Sequence, residues 1–138
     1  MRYLVNIIAA FCLSACAVAQ PSHDTEQMYI KASALTKLST AVHGFIRYEN
    51  PPENLTDSEV LQQATREDPA LLSPFSGYKL RVLRQNRNAS VLMCSADSTQ
   101  GLLEDVGCTA QLDKHLWLSG KHEVCEFTLN IEVVCGQD

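Results

Sequence analysis

The sequence predicts an α+β fold, in which a long N-terminal helix and a short second helix pack on one face of a small antiparallel sheet of about three to four strands. Three observations predict it. Apolar residues recur with the helical period over residues 25–48. From Tyr78 onward the period changes to two, which is typical of strands with one buried face. Four cysteines in the second half of the 138-residue chain suit a small domain held by two disulfides.

The long helix is predicted over residues 25–48 because its apolar side chains form a single stripe. Asp24 can cap its first turn, and Asn50 followed by Pro51 and Pro52 ends it. A helix with one apolar stripe is expected to lie across a flat surface. The residues of the stripe are Met28, Leu35, Leu38, Val42, Phe45 and Ile46.

A second, shorter helix is predicted to begin at a capping box. Thr56 and Glu59 have the spacing in which each side chain bonds the backbone amide of the other residue. The helix continues through Ala64, and Pro69 ends it because the residue before a proline avoids the helical conformation.

Strands are predicted for the second half of the chain. Residues 78–82 alternate between apolar and cationic side chains, residues 85–88 form a turn, and residues 89–94 return as a second strand. Residues 101–106 predict a third strand, although they also fit a helical turn. Residues 126–134 predict a last strand with one buried and one solvated face. Its buried face would consist of Phe127, Leu129, Ile131 and Val133.

This last strand restricts the pairing of the cysteines. Cys125 and Cys135 bracket it and would lie about 33 Å apart at about 3.3 Å per residue, whereas a disulfide needs Cα atoms within about 7 Å. Two pairings remain open. A meander of the last three predicted strands favours Cys108–Cys125 with Cys94–Cys135, and the alternative is Cys94–Cys125 with Cys108–Cys135.

A zinc site is the alternative to the disulfides, because His115 and His122 lie close to Cys125 in the sequence. Structural zinc sites usually carry Cys-x-x-Cys pairs, and the chain has none. We therefore expect disulfides, no metal and no cofactor.

The first nineteen residues predict an export signal. Arg2 precedes an apolar core over residues 3–13, and small residues follow it. The core is shorter than the roughly 18 residues that a membrane span requires. Cleavage after Ala19 would suit an ordinary signal peptidase, since small residues lie at positions 17 and 19.

A second cleavage site is suggested by four residues, Leu13, Ser14, Ala15 and Cys16, which resemble the lipobox of bacterial lipoproteins. The resemblance covers this targeting motif only, and we favour it over cleavage after Ala19. It implies that Cys16 becomes the first residue and carries acyl chains such as palmitate, which anchor the protein stably. In lipoproteins an aspartate after the cysteine marks retention in the inner membrane.

The residue after the cysteine is Ala17, so the resemblance implies the outer membrane, with the domain facing the periplasm. The alternative is a soluble periplasmic or secreted protein. We assign residues 1–19 to the signal, residues 20–24 to a tether and residues 25–138 to a single domain.

The charge of the chain is distributed unevenly. A net charge of −5 argues against binding to nucleic acid. A local cluster consists of Lys79, Arg81, Arg84 and Arg87, and we interpret it first as a set of solvated cations that protects a strand edge against pairing. The alternative is a site for an anionic partner, either a phosphorylated lipid headgroup or an acidic protein.

The sequence contains no recognisable catalytic motif, and the G-x-S-x-G elbow of serine hydrolases is absent. Asp113 and His115 would share one face of a strand and are the acid–base candidates. Glu104 and Asp105 are adjacent, so on a strand they would point to opposite faces and share no proton.

We therefore expect a non-enzymatic envelope lipoprotein that acts as a binding or assembly accessory. Its expected partners are the membrane, through the lipid anchor, and an envelope protein. The alternatives are a small exported enzyme inhibitor and a hydrolase that uses Asp113 and His115, with help from Glu123 or Glu126.

Overall fold

The computed structural model describes residues 23–136. Its sheet is antiparallel with the strand order β1-β2-β3, and two helices pack on one face of it, which confirms the predicted α+β fold. The predicted signal, both cleavage sites and Cys16 lie outside the described residues. The elements are α1 (His23–Gly44), α2 (Asp57–Ala64), β1 (Lys79–Gln85), β2 (Asn88–Cys94), β3 (Gly101–Val106) and α3 (Ile131–Cys135).

Helix α1 buries the whole predicted stripe against the sheet. All six of its residues are buried, and Leu35, Leu38 and Val42 have no exposed surface. The helix ends in a wider π-helical turn, Phe45–Glu49, and Asn50 then adopts a left-handed conformation with φ of 45°. The chain leaves the helix there because Pro51 has no amide hydrogen to continue it.

Helix α2 begins at the predicted capping box. The Thr56 amide donates to Glu59 Oε2 at 2.7 Å, and the Glu59 amide donates to Thr56 Oγ1 at 3.2 Å. Val60 and Leu61 are buried beside α1, so both helices share one core with the sheet. The α-helix ends at Ala64, and Pro69 begins a separate 3-10 segment, Pro69–Phe75.

The sheet is a meander of three strands with β2 at its centre. A two-residue turn at Asn86 and Arg87 joins β1 to β2, and Val82 lies opposite Val91. Every residue of β2 is buried, so both faces of the sheet are covered. Residues 101–106 are a strand, as predicted, and the competing interpretation as a helical turn is wrong.

The predicted last strand over residues 126–134 is wrong. The Thr128 and Leu129 amides donate to the buried carboxylate of Glu104, so they do not join a strand ladder. Asn130 then caps α3, because its side-chain oxygen accepts from the Glu132 and Val133 amides. The hydrogen bonds to Glu104 and the Asn130 cap prevail over the alternating pattern of side chains.

The second face of the sheet is covered by residues 116–135, which we call the C-terminal layer. Leu92 and Cys94 of β2 pack there against Leu116, Cys125 and Phe127. The expectation of a solvated second face is therefore also wrong. The domain has three layers: the helices, the sheet and the C-terminal layer.

The favoured disulfide pairing is wrong, and the alternative is present. Cys94 bonds Cys125 with a Cα–Cα distance of 5.6 Å, and Cys108 bonds Cys135 at 5.8 Å. The favoured pairing assumed that the last segment runs antiparallel to β3 from the Cys108 end. The segment instead begins at the opposite end, where the Gly101 amide donates to the Glu123 carbonyl.

Peptide mapping should reproduce this pairing. Digestion after glutamate of the denatured, unreduced protein separates all four cysteines, because Glu104, Glu123, Glu126 and Glu132 lie between them. We expect residues 68–104 linked to 124–126, and 105–123 linked to 133–138. A link between 68–104 and 133–138 would contradict the fold at the C-terminal layer.

Candidate binding surface

Two adjacent carboxylates on β3, Glu104 and Asp105, are completely buried. Glu104 lies opposite Leu92 and faces the C-terminal layer, whereas Asp105 lies opposite Val91 and faces α1. The two groups therefore point to opposite faces, as the sequence predicted, and share no proton. Each carboxylate attaches one outer layer to the sheet.

Glu104 holds the C-terminal layer. Its carboxylate accepts the Thr128 amide at 3.0 Å, the Thr128 hydroxyl at 2.7 Å and the Leu129 amide at 3.0 Å. Buried carboxylates are tolerated when they accept several hydrogen bonds, since these replace the lost hydration. This arrangement is structural because every oxygen of the carboxylate is occupied by the protein.

Asp105 connects the sheet to α1. The Ser39 hydroxyl donates to Asp105 Oδ2, and the Asp113 amide donates to Oδ1 at 3.1 Å. Burial raises the pKa of Asp105 to about 7 against the opposing effect of the Ser39 hydrogen bond, and the nearby charge of Asp113 raises it further. Gly107 permits this approach, since a Cβ there would overlap the Ser39 carbonyl.

The structure does not bring Asp113 and His115 together as an acid–base pair. Asp113 Oδ2 accepts the Val106 amide at 2.8 Å and the Thr109 hydroxyl at 3.0 Å, so this carboxylate holds the loop after β3. The ring of His115 packs against that of Tyr29 with a centroid distance of 5.5 Å. These contacts give the two side chains separate structural roles.

For the carboxylates named as helpers of this pair, the structure shows that Glu126 is exposed and that the Glu123 backbone carbonyl accepts from the amide of Gly101. Within residues 23–136, no group of three or more His, Cys, Asp or Glu side chains is placed to hold a metal ion.

The four cations of the predicted patch lie around β1 and do not share one face. Lys79 and Arg81 lie opposite Cys94 and Leu92 and therefore face the C-terminal layer. Arg84 lies on the helix side of the sheet, and Arg87 is in the turn. Lys79 and Arg87 are exposed, whereas Arg81 and Arg84 are partly buried.

The three guanidinium groups donate to backbone carbonyls. Arg84 donates to the Pro51 and Pro52 carbonyls, both at 2.7 Å, Arg81 donates to the carbonyl of Cys125, and Arg87 donates to that of Arg47. A carbonyl oxygen carries no net charge, so these contacts do not neutralise the guanidinium groups. The three arginines therefore keep their formal charge while they brace the segments around β1.

The outer edge of β1 carries unpaired backbone groups. Pairing with β2 uses alternate residues of an antiparallel strand, beginning with Gln85 next to the two-residue turn. The amides and carbonyls of Leu80, Val82 and Arg84 therefore point away from β2. No hydrogen bond from residues 23–136 reaches these groups. We call them the open edge.

The outer edge of β3 is closed by comparison. Glu104 exchanges two backbone hydrogen bonds with Lys114, both at 3.0 Å, and the Gly101 amide donates to Glu123 at 3.0 Å. An unpaired edge is a template for another strand, so proteins usually cover such edges or place charges along them. Within the described part of the chain, no segment covers the outer edge of β1, and its only protection is the row of charged side chains.

A groove of about 780 Å³ lies at the start of β1, where it meets Leu80 of the open edge, and we call it the edge groove. Its walls come from α2, from the segment before β1 and from the first residues of β1. Apolar side chains lining it are Leu61, Leu72, Phe75, Tyr78 and Leu80, and the polar residues that line it include Asp57 of α2 and Lys79 of β1.

The cations are evident in the sequence, whereas the open edge is not, because it consists of backbone groups. The available signal was the presence of three cations among apolar residues over 79–84, without an intervening acid, which is typical of a charged edge strand. The structure places the cations around this open strand, and the site for an anionic partner stays a prediction.

Comparison of the chain with protein-family models, with curated proteins and with solved structures finds no match. None of the helices within residues 23–136 is both long and apolar enough to cross a bilayer.

Proposed function

We propose that the chain is an exported, lipid-anchored protein of the bacterial envelope that acts as a non-enzymatic binding or assembly accessory. The observation that carries the binding role is the open edge of β1 beside the edge groove. Strand edges of this kind bind partner segments through backbone hydrogen bonds, which need no catalytic group.

Export is supported by the two disulfides, since such bonds persist in oxidising compartments such as the periplasm. The lipid anchor is supported by the resemblance of Leu13, Ser14, Ala15 and Cys16 to a lipobox. Ala17 favours the outer membrane as the site of the anchor. The alternative of a hydrolase has less support, because Asp113 and His115 hold separate structural contacts.

Intact mass and fractionation test the anchor in a Gram-negative host. We expect a membrane-bound chain that begins at Cys16 and carries the added mass of a diacylglyceryl group and an N-acyl chain. The Cys16→Ser variant should lose both the added mass and the membrane fraction. Cys12→Ser is the matched control, since it removes the other cysteine of residues 1–19 and should leave anchoring intact.

A mature chain that begins at Gln20 without lipid would contradict the anchor and favour a soluble periplasmic or secreted protein. The binding role has its own test. Cross-linking in intact cells should join the anchored form to an envelope protein, and this product should decrease for Cys16→Ser. Equal yields from both forms would contradict a role that depends on the membrane.

A further inference from the structure

The open edge, the edge groove and the cations around β1 together define the chemistry of a ligand. We infer that β1 binds an extended peptide segment of a partner protein, which joins the sheet as a fourth strand and carries apolar and acidic side chains in alternation. This inference rests on the proposed binding role, but it does not depend on the lipid anchor.

The backbone contribution comes from three residues in one strand. Leu80, Val82 and Arg84 each present an amide and a carbonyl to the outside, and these match the spacing of a second extended chain. An added strand would satisfy these groups in the way that β2 satisfies the inner side of β1. Such pairing provides affinity for any extended segment, whereas the side chains select its sequence.

The side chains of the added strand would meet two different surfaces. Leu80 and Val82 lie on the helix side of the sheet, where Leu80 borders the edge groove and Asp57 in the groove wall disfavours another acid. Arg84 lies on the same side, but its guanidinium group donates to the Pro51 and Pro52 carbonyls. Lys79 and Arg81 lie on the other side of the sheet, where each faces the position of a cross-strand neighbour. Alternate residues of the peptide are therefore apolar on the groove side and acidic on the cationic side.

A second copy of the chain fits the edge poorly. Antiparallel pairing of two β1 strands centred on Val82 would place the two Arg81 side chains diagonally on one face, at about 7–8 Å. It would also join two edges that each carry three cations between positions 79 and 84 without an acid. Repulsion between like charges opposes this dimer.

The undescribed parts of the chain also fit poorly. Residues 1–22 contain no aspartate or glutamate, and residues 137–138 contain a single acid. Charge complementarity therefore favours a segment of another protein that is rich in carboxylates.

Nuclear magnetic resonance with synthetic peptides tests the inference. The protein is the oxidised Cys16→Ser chain, and the probe is an eight-residue peptide that alternates valine and glutamate. We expect the amide signals of Leu80, Val82 and Arg84 to shift and to gain protection from hydrogen exchange. A peptide with lysine in place of glutamate, and one with N-methyl groups on alternate residues, should each bind at least about threefold more weakly.

Two variants separate the contribution of side-chain charge to peptide binding from that of the backbone hydrogen bonds. Lys79→Glu changes an exposed side chain and should weaken binding of the valine–glutamate peptide about three- to tenfold, while it strengthens binding of the valine–lysine peptide. Val82→Pro removes an outward amide hydrogen without touching the β1–β2 ladder and should also weaken binding, whereas Val82→Ala keeps that hydrogen and serves as its control. If Val82→Pro does not fold, Lys79→Glu still tests the inference, because it changes only an exposed side chain.

Three results would overturn the inference. The valine–lysine or N-methylated peptide could bind as well as the valine–glutamate peptide, or the shifted amides could lie away from β1. Protection of the open edge that rises with protein concentration in the absence of peptide would identify a second copy as the occupant. Each result leaves the lipid anchor intact, since mass and fractionation test it separately.

Discussion

Replacement of Glu104 by alanine is expected to lower the free energy of unfolding by about 3–5 kcal/mol, which is a large share of the stability of a small domain. The carboxylate accepts two backbone amides and one hydroxyl from Thr128 and Leu129, in a site without solvent exposure. Its removal takes away the acceptor of those donors, and a cavity forms where the buried side chain was.

Denaturant unfolding of the oxidised protein measures this loss. Hydrogen exchange should also accelerate at the Thr128 and Leu129 amides, because the C-terminal layer loses its attachment to β3. Glu126→Ala is the matched control, since it removes an exposed carboxylate from the same layer and should change stability by less than about 0.5 kcal/mol. Equal effects of the two substitutions would show that Glu104 does not hold this layer.

Replacement of Asp105 by asparagine is expected to stabilise the protein at high pH. Burial raises the pKa of Asp105 to about 7 in the folded state, whereas the group has its ordinary pKa of 3.8 when unfolded. Between these values the folded state holds a proton that the unfolded state has released. The contribution of Asp105 to the free energy of unfolding is therefore most favourable below pH 3.8, and it falls as the pH rises to about 7.

The asparagine side chain remains neutral at every pH, so the free energy of unfolding of the variant should not fall in this way. We expect it to unfold within about 1 kcal/mol of the native protein at pH 4.5, and to exceed its stability by up to about 4 kcal/mol at pH 8.5. Denaturant unfolding across this pH range measures the difference. If the difference in free energy of unfolding between the variant and the native protein is constant with pH, or increases as the pH falls, a raised pKa at Asp105 is contradicted.

Several elements could be predicted from the sequence because neighbouring residues determine them. The apolar stripe of α1 requires one buried helix face, and the capping box of Thr56 and Glu59 closes its own hydrogen bonds. The hairpin of β1 and β2 is similarly local, since Asn86 adopts the positive φ that its two-residue turn requires. Each signal lies within a few residues of the structure that it produces.

The last segment shows where such prediction fails. Phe127, Leu129, Ile131 and Val133 alternate as in a strand, yet the Thr128 and Leu129 amides bond a carboxylate 24 and 25 residues away. No local pattern reveals that Glu104 will be buried beneath them. The disulfide pairing failed for the same reason, because it was inferred from the direction of a strand that does not form.

The candidate site was predicted in part. The cations around β1 stand out in the sequence, and their association with an anionic partner remains a prediction. The open edge can be identified only from the tertiary structure. Lys114 and Glu123 cover the outer edge of β3, whereas no segment within the described residues covers that of β1. Which strand of a sheet lies at an uncovered edge depends on contacts between distant segments.

The sequence by itself determined the α+β class, the boundaries of the early helices, and the presence of an even set of cysteines suited to disulfides. These features follow from periodicity, capping and composition, which act over a few residues. Only the tertiary structure decided the cysteine pairing, the third layer and the open edge. Those depend on which distant segment satisfies the buried carboxylates and backbone groups, because a buried polar group must find a partner wherever in the chain one is available.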